Sequence, residues 1–277
     1  MSPLSHGEFG GRPLSERRIS SGIGGPPQVE GQALATNQRP VGSLLKVSVL
    51  GSFDFSVDGE PRRDLPPGSQ RLLAFLALRD RAVARAALAG TLWPDASEEH
   101  AQASLRSALS RLTEIDRTVL RIRAQELSLA DGVIVDVRDA RMLAHRLLNL
   151  GKEQEGDLSD RAISTLSLDL LPDWYDDWAV AEAEEWRQLR LHALDTLAER
   201  LTTAGRLADA TSAALAAVKA EPLRETAHAV LIRVYLAEGN RAEALAAYEH
   251  YRELLSSELG LEPTGRIQAL IEDLLSP

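Results

Sequence analysis

Hydrophobic residues in the segment 97–115 recur with the period of an α-helix and leave the opposite side polar. At about 100° per residue, the apolar side consists of Ala101, Leu105, Ala108, Leu109 and Leu112. The outer side and its flanks carry Ala103, Arg106, Ser107, Ser110, Arg111 and Glu114. Ser97 is a suitable N-cap, and Glu98 and Glu99 suit the positive end of the helix dipole. We expect an amphipathic helix whose outer face is either solvated or set in a groove of DNA.

Shorter patterned segments surround this helix. Residues 45–50 and 53–57 alternate with period two and are separated by turn residues, which predicts antiparallel strands. Helices are expected over about 69–80 and 83–92, the second ending before Trp93-Pro94. Residues 119–123 and 127–129 alternate around a polar tip, which predicts a hairpin. This order of elements is typical of a winged helix-turn-helix; the alternative is a small α+β domain with no nucleic-acid role.

Beyond Val133 the pattern is almost entirely helical. The predicted helices cover about 137–150, 159–166, 178–204, 207–219, 224–238, 241–258 and 264–275. Gly205 and Gly239 lie between helices and are 34 residues apart, which is the tetratricopeptide period. We expect an all-α, tetratricopeptide-like array of helical hairpins, a fold that usually presents a surface to another protein.

Charge is distributed unevenly along the 277 residues, whose net charge is −10. Residues 44–135 carry 12 Lys or Arg and 12 Asp or Glu, whereas residues 136–277 carry 15 and 26. A neutral first half can still bind DNA through a locally basic face, although more than one copy would be needed for adequate affinity. Residues 1–43 are rich in Gly, Pro and Ser and are expected to be a disordered extension. The chain has no cysteine and no long apolar run, so we expect a cytoplasmic protein with no membrane partner.

Eight phrases in order resemble the Streptomyces antibiotic regulatory protein (SARP) family of bacterial activators. They lie at residues 45–51, 70–78, 92–95, 104–112, 171–178, 188–194, 248–255 and 258–264. Members of this family join an OmpR/PhoB-like winged helix to a bacterial transcriptional activation domain. The resemblance covers about residues 44–275, and it implies a winged helix over 44–135 and an activation domain over 136–277.

The resemblance also implies a function. It points to binding of promoter DNA at direct repeats, as a homodimer on DNA, with recruitment of RNA polymerase and its sigma factor. It implies no reaction and no cofactor, and it suggests control of a secondary-metabolite gene cluster. The chain departs from the family pattern in its 43-residue extension and in residues 112–116, which are less basic than usual.

Candidate DNA contacts follow from the helix pattern and the resemblance. Arg106 and Arg111 are the foremost, because guanidinium groups pair with guanine edges or phosphates; for Arg111 the alternative is an ion pair with Glu114. The remaining candidates are Gln102, Ser104, Ser107 and Ser110 on the same helix, Arg71 on the first helix, and Arg121 and Arg123 on the hairpin. The hairpin arginines otherwise belong to a solvated strand face.

Catalytic and metal-binding motifs are missing from the sequence. The six histidines lack metal-ligand spacing, and His192 and His228 are expected to pack at helix contacts. Asp173, Asp176 and Asp177 are interpreted as capping and solvated groups rather than a cation site. The sequence thus predicts a non-enzymatic DNA-binding regulator with no cofactor. The alternative is a tetratricopeptide-like interaction scaffold whose winged helix does not bind DNA.

Overall fold

The alternating segments near residue 45 form the predicted antiparallel pair. The structure, a computed structural model, describes residues 43–149, 151, 154 and 156–272. Strand β1 (Leu45–Ser48) pairs with β2 (Asp54–Val57), and β3 (Glu60–Pro61) continues the sheet. Asp58 and Gly59 both have positive φ (53° and 85°), as the tight turn between β2 and β3 requires. The expected disordered extension 1–43 lies, apart from Ser43, outside the described residues.

Three helices follow this sheet. They are α1 (Pro67–Ala77), α2 (Arg85–Leu92) and α3 (Glu98–Ser110), with a two-residue strand β4 (Val83–Ala84) before α2. Helix α1 packs on α3, where Ser69 donates a hydrogen bond from its Oγ to the carbonyl of Ala108 at 2.8 Å. The expected helix over 83–92 was wrong only at its first two residues, which pair in a sheet instead.

The prediction of one helix through residue 115 was wrong. Helix α3 ends at Ser110, and a short helix α4 (Glu114–Arg117) begins after Thr113. The Thr113 hydroxyl accepts from the backbone N–H of Asp116, and the Asp116 carboxylate accepts from the N–H of Thr113, which is a capping box. This reciprocal cap starts a new helix and redirects the chain toward the hairpin.

The hairpin prediction was confirmed. Strand β5 (Leu120–Ile122) pairs antiparallel with β6 (Glu126–Leu129), and β4 joins the other edge of β6. Strand β7 (Ile134–Val135) then returns to the first sheet and pairs parallel with β1, giving the order β3-β2-β1-β7. The fold is therefore mixed α/β, with its named strands confined to residues 45–135 in the described part of the chain.

The helices of the second half lie close to their predicted positions. They are α5 (Asp136–Leu148), α6 (Asp160–Leu166), α7 (Asp177–Thr203), α8 (Leu207–Ala220), α9 (Glu225–Glu238), α10 (Arg241–Leu259) and α11 (Gly265–Gln268). The last is shorter than the predicted 264–275, of which 273–275 lie outside the described residues. Gly239 ends α9 with a positive φ of 80°, the left-handed conformation that favours glycine.

One hydrophobic core extends from the strands into the helices of the second half. The rings of Phe75 and Trp178 form a T-shaped pair with centroids 5.3 Å apart, and the ring centroids of Trp174 and Trp178 are 5.8 Å apart. Helix α5 follows β7 directly, and the Asp136 carboxylate accepts hydrogen bonds from the N–H groups of Val49 and Leu50. The described residues from 43 to 272 accordingly belong to a single compact unit, with no linker at residue 136. Within the described residues, no helix is long and apolar enough to span a bilayer.

Candidate nucleic-acid interface

Helix α3 has the two faces that its sequence predicts. Ala101, Leu105 and Ala108 are buried against α1 and α2, which fixes the helix on the core. Arg106, Ser107 and Ser110 are exposed on the outer side, and Arg111 is exposed just past the last turn. Because the apolar side is buried in the core, the outer side chains point away from it.

Arg106 and Arg111 have uncommitted guanidinium groups. Within the described part of the chain neither side chain makes a hydrogen bond or an ion pair, and the alternative pairing of Arg111 with Glu114 does not occur. A guanidinium with all its N–H groups directed to solvent can bind a phosphate or a guanine edge without breaking an internal contact.

The polar side chains of α3 differ in their availability. Ser110 donates from its Oγ to the carbonyl of Ser107 at 2.9 Å, and Gln102 donates to the Glu98 carboxylate at 3.2 Å. Ser104 is half-buried, whereas Ser107 is exposed. Glu98 and Glu99 also make the first turn acidic. An approaching phosphate is therefore favoured at the C-terminal half of α3 and opposed at its first turn.

Arg71 is directed toward the second half of the chain. It is half-buried on α1 and forms an ion pair with Asp176, the N-cap residue of α7. Of the three aspartates interpreted as capping and solvated groups, Asp176 occupies the N-cap position but makes no side-chain capping bond, because its carboxylate binds the Arg71 guanidinium. The geometry thus gives Arg71 a structural partner rather than an open side chain.

The hairpin presents a second basic surface. Arg121 forms an ion pair with Asp131, while Arg123 is exposed at the tip and has no ion-pair partner among the residues that the structure describes. Both border a cleft of about 420 Å³ to which Arg79, Arg81 and Arg138 also contribute. Arg81 is exposed in that cleft and was not singled out by the sequence, in which it lies in a loop with no motif.

A further arginine acts on the end of α3. Arg117 of α4 donates from its Nε to the carbonyl of Leu109 and from Nη2 to that of Ser110, both at 3.2 Å. These carbonyls belong to the last turn of α3, where a cation offsets the negative end of the helix dipole. Sequence reasoning missed this role because it depends on the break between α3 and α4.

The second half of the chain matches a known family model. A family model described as the bacterial transcriptional activator domain matches residues 136–275. The chain belongs to this family. The resemblance that the sequence motifs carry is thereby confirmed for the helices α5 to α11.

Relatives of this bacterial transcriptional activator domain protein carry regulatory names. The chain is 29% identical over 262 residues to the regulatory protein AfsR of Streptomyces coelicolor, covering 91% of this chain and 26% of AfsR. It is 28% identical over 253 residues to the transcriptional regulatory protein EmbR of Mycobacterium tuberculosis, covering 83% of this chain and 63% of EmbR. The chain thus spans about a quarter of the first relative and less than two thirds of the second.

A solved structure shares the fold. It is Mycobacterium tuberculosis EmbR in complex with a low affinity phosphopeptide, with a TM-score of 0.63 and 24% sequence identity. The likeness covers 84% of this chain and 65% of that one. It supports the architecture of a small β-containing region followed by many helices.

Histidines and acidic groups give no sign of a metal centre. No group of three or more His, Cys, Asp or Glu that could hold a metal ion occurs in the described ranges. His228 is packed between α9 and α10 as expected, 1% exposed, with its ring stacked on Tyr251. The same expectation was wrong for His192, which is exposed and lies 3.1 Å from Arg224.

Proposed function

We propose that this protein is a sequence-specific DNA-binding transcriptional regulator that activates transcription. Residues 44–135 act as an OmpR/PhoB-like winged helix-turn-helix, with α3 in the major groove and the β5–β6 hairpin as the wing. The observation that carries the proposal is the pair of exposed guanidiniums, Arg106 and Arg111, on the outer side of a helix whose other side is buried. The names of the relatives, all of them regulators, support it.

We rank the remaining DNA contacts by how exposed each side chain is and by whether it is already bonded within the protein. Ser107 and Arg123 are exposed and are assigned to the groove edge and the wing; Ser104, Ser110, Gln102 and Arg121 are secondary, because each is partly buried or already bonded within the protein. Since residues 44–135 carry no net charge, affinity comes from two copies on a direct repeat. We assign residues 136–277, as a tetratricopeptide-like domain, to contact with RNA polymerase and its sigma factor.

The acidic second half suits a protein partner. It carries an excess of 11 acidic over basic residues, so a phosphate backbone repels it and it is left to face protein. From the resemblance to the Streptomyces antibiotic regulatory protein family, the role that we propose is that of a cytoplasmic regulator of secondary-metabolite genes. No step of this role requires a cofactor or a chemical reaction.

The test uses the full chain, because the continuous core gives no reason to expect residues 44–135 to fold alone. A duplex is selected from a random pool with the wild-type protein, and gel-shift titrations then compare variants. We expect Arg106→Ala and Arg111→Ala each to weaken binding by about 5- to 150-fold, the equivalent of about 1–3 kcal/mol for one base contact. The control Arg161→Ala removes an exposed arginine of α6 and leaves the affinity unchanged.

Two outcomes contradict the proposal. Equal affinity of the Arg111→Ala and wild-type proteins refutes the assignment of α3. If no duplex binds better than scrambled DNA, and binding lacks a steep dependence on salt, the protein is instead a helical scaffold whose winged helix does not bind DNA. The acidic first turn of α3 is the observation that favours this second candidate.

A further inference from the structure

A cleft of about 720 Å³ lies where the two halves of the chain meet. One wall is the turn between α2 and α3, residues 93–96, and the other is the segment 175–178 that leads into α7. Arg71 of α1 lies between the two walls. The cleft is separate from the outer side of α3, since none of the exposed residues of that side lines it.

The walls combine aromatic rings with carboxylates. Trp93, Tyr175 and Trp178 contribute three rings, and Tyr175 is 85% exposed at the mouth. Asp95 and Asp177 are exposed and make no ion pair with any residue that the structure describes, whereas the charge of Asp176 is balanced by Arg71. The cleft therefore has two unbalanced negative charges beside three aromatic side chains, of which Tyr175 is the most exposed, an environment that attracts an organic cation.

Two buried N–H groups in the same walls have no hydrogen-bond acceptor within the described residues. Trp178 is only 7% exposed, and its indole Nε1–H has no hydrogen-bond partner within the described residues. The Nε–H of Arg71 is buried and equally without a partner there. A buried donor left unsatisfied costs about 1–3 kcal/mol, and neither nitrogen has accessible surface in this structure, so an occupant with oxygen acceptors gains this energy when the walls move to admit it. A simple amine or a metal ion supplies no such oxygen.

We propose that this cleft is the docking site for an arginine-bearing segment of a partner protein. The guanidinium stacks on the exposed ring of Tyr175 and pairs with Asp95 or Asp177, which its planar shape allows and a lysine ammonium matches less well. Carbonyl oxygens of the partner's backbone accept from Trp178 and Arg71 once the walls have moved to expose these two donors. The open mouth, with Tyr175, Asp95 and Asp177 all exposed, suits a side chain presented by a macromolecule rather than an engulfed small ligand. The proposal does not depend on DNA binding by α3.

The test follows the indole N–H signals of the full chain in ¹H–¹⁵N spectra. The probe is an acetylated five-residue peptide amide with arginine at its second and fourth positions and alanine elsewhere, and the matched control peptide has citrulline at both. We expect a saturable shift of the Trp178 signal with the arginine peptide only. The signal of Trp186, whose Nε1 donates to the carbonyl of Leu168 at 2.9 Å, is an internal control that stays in place.

Variants of exposed residues separate docking from unspecific attraction. We expect the double variant Asp95→Asn, Asp177→Asn to raise the peptide Kd at least tenfold, whereas Asp173→Asn, which changes an exposed carboxylate outside the cleft, leaves it unchanged. The proposal is overturned if the citrulline peptide gives the same shift, if the double variant binds as the wild type does, or if the Trp178 signal never moves. Binding of free arginine amide as tight as that of the peptide also overturns it, in favour of a small-molecule site.

Discussion

Three arginines show how the same side chain takes different roles according to distant neighbours. The side chain of Arg106 is exposed, and that of Arg117 donates hydrogen bonds to carbonyls in the last turn of α3. Arg71 forms an ion pair with Asp176, which is 105 residues away in sequence. The exposure of Arg106 was predictable, because it depends only on the helical period of its own segment. The partner of Arg71 was not, since nothing local in the sequence indicates which element packs over α1.

A single side-chain hydroxyl links α1 to α3. Ser69 is fully buried, and its Oγ donates to the carbonyl of Ala108. Because Ser69→Ala removes this donor and leaves a buried carbonyl with one partner fewer, we expect the free energy of unfolding to fall by about 1–2 kcal/mol. Urea denaturation of both proteins measures this. Ser52→Ala, at an exposed serine, is the control and should change nothing; an unchanged Ser69→Ala protein would show that the bond contributes no net stability.

The buried His228 makes stability depend on pH. Burial lowers the pKa of His228, against the opposing effect of its hydrogen bond to the carbonyl of Pro222. The unfolded chain therefore binds a proton more readily than the folded one, and stability is present above the unfolded pKa of about 6.5 and is lost as the pH falls below it. We expect the loss between about pH 7 and pH 5 to be smaller in His228→Gln than in the wild type.

Thermal melts across this range compare the two proteins. His145→Gln removes an exposed histidine of α5 and should keep the pH dependence of the wild type. If the His228→Gln and wild-type proteins lose stability in parallel, His228 is not the group responsible.

At the scale of elements, most boundaries were predictable from local signals. The helices from α5 to α10 begin and end within about two residues of their expected positions. Local signals contribute to this, since Ser159 caps α6 and glycines follow α7, α9 and α10. The break after α3 was also marked, by Thr113 and Asp116 in capping-box spacing, but the continuous apolar period obscured it. Strands β4 and β7 have two residues each, too few to show any alternation, and are defined only by their pairing.

The capping box gives a prediction for the end of α3. Thr113→Ala removes the acceptor for the Asp116 N–H, so we expect a loss of about 1 kcal/mol in the free energy of unfolding. Arg117 then holds the last carbonyls of α3 less firmly, and amide hydrogen exchange at residues 109–112 should quicken. Thr113→Ser keeps the oxygen and should behave as the wild type does. A Thr113→Ala protein as stable as the serine variant would argue that the break is set by packing alone.

At the scale of the molecule, the two halves are joined by charge as well as by the aromatic contacts of Phe75 and Trp178. Glu182 of α7 is 14% exposed and binds both Arg79, just after the end of α1, and Arg141 of α5, the latter at 2.7 Å. Arg79 also lies over the ring of Phe75, with its Cζ 4.3 Å from the ring centroid. The sequence predicts each half from its own periodicity but does not indicate that one core continues through both.

Replacing this shared carboxylate tests the junction. Glu182→Gln leaves two half-buried guanidiniums without their counter-charge, and we expect it to lower the free energy of unfolding by about 1–2 kcal/mol after allowance for solvent screening. Glu185→Gln, at an exposed position on the same helix, is the matched control. Chemical denaturation measures both, and equal stability of the two variants would mean that the ion pairs contribute nothing.

The continuous core also determines how the chain unfolds. The four tryptophans lie in the α2–α3 turn (position 93), just before α7 (position 174) and on α7 (positions 178 and 186). Their fluorescence therefore reports the junction, whereas far-UV circular dichroism reports every helix. If the halves form one cooperative unit, both signals should change at the same urea concentration. A helical signal that persists after the fluorescence transition would instead mean that the second half holds together without the first. Coincident transitions would mean that any partner bound at the junction stabilises α3 and the helical array together, because neither unfolds alone.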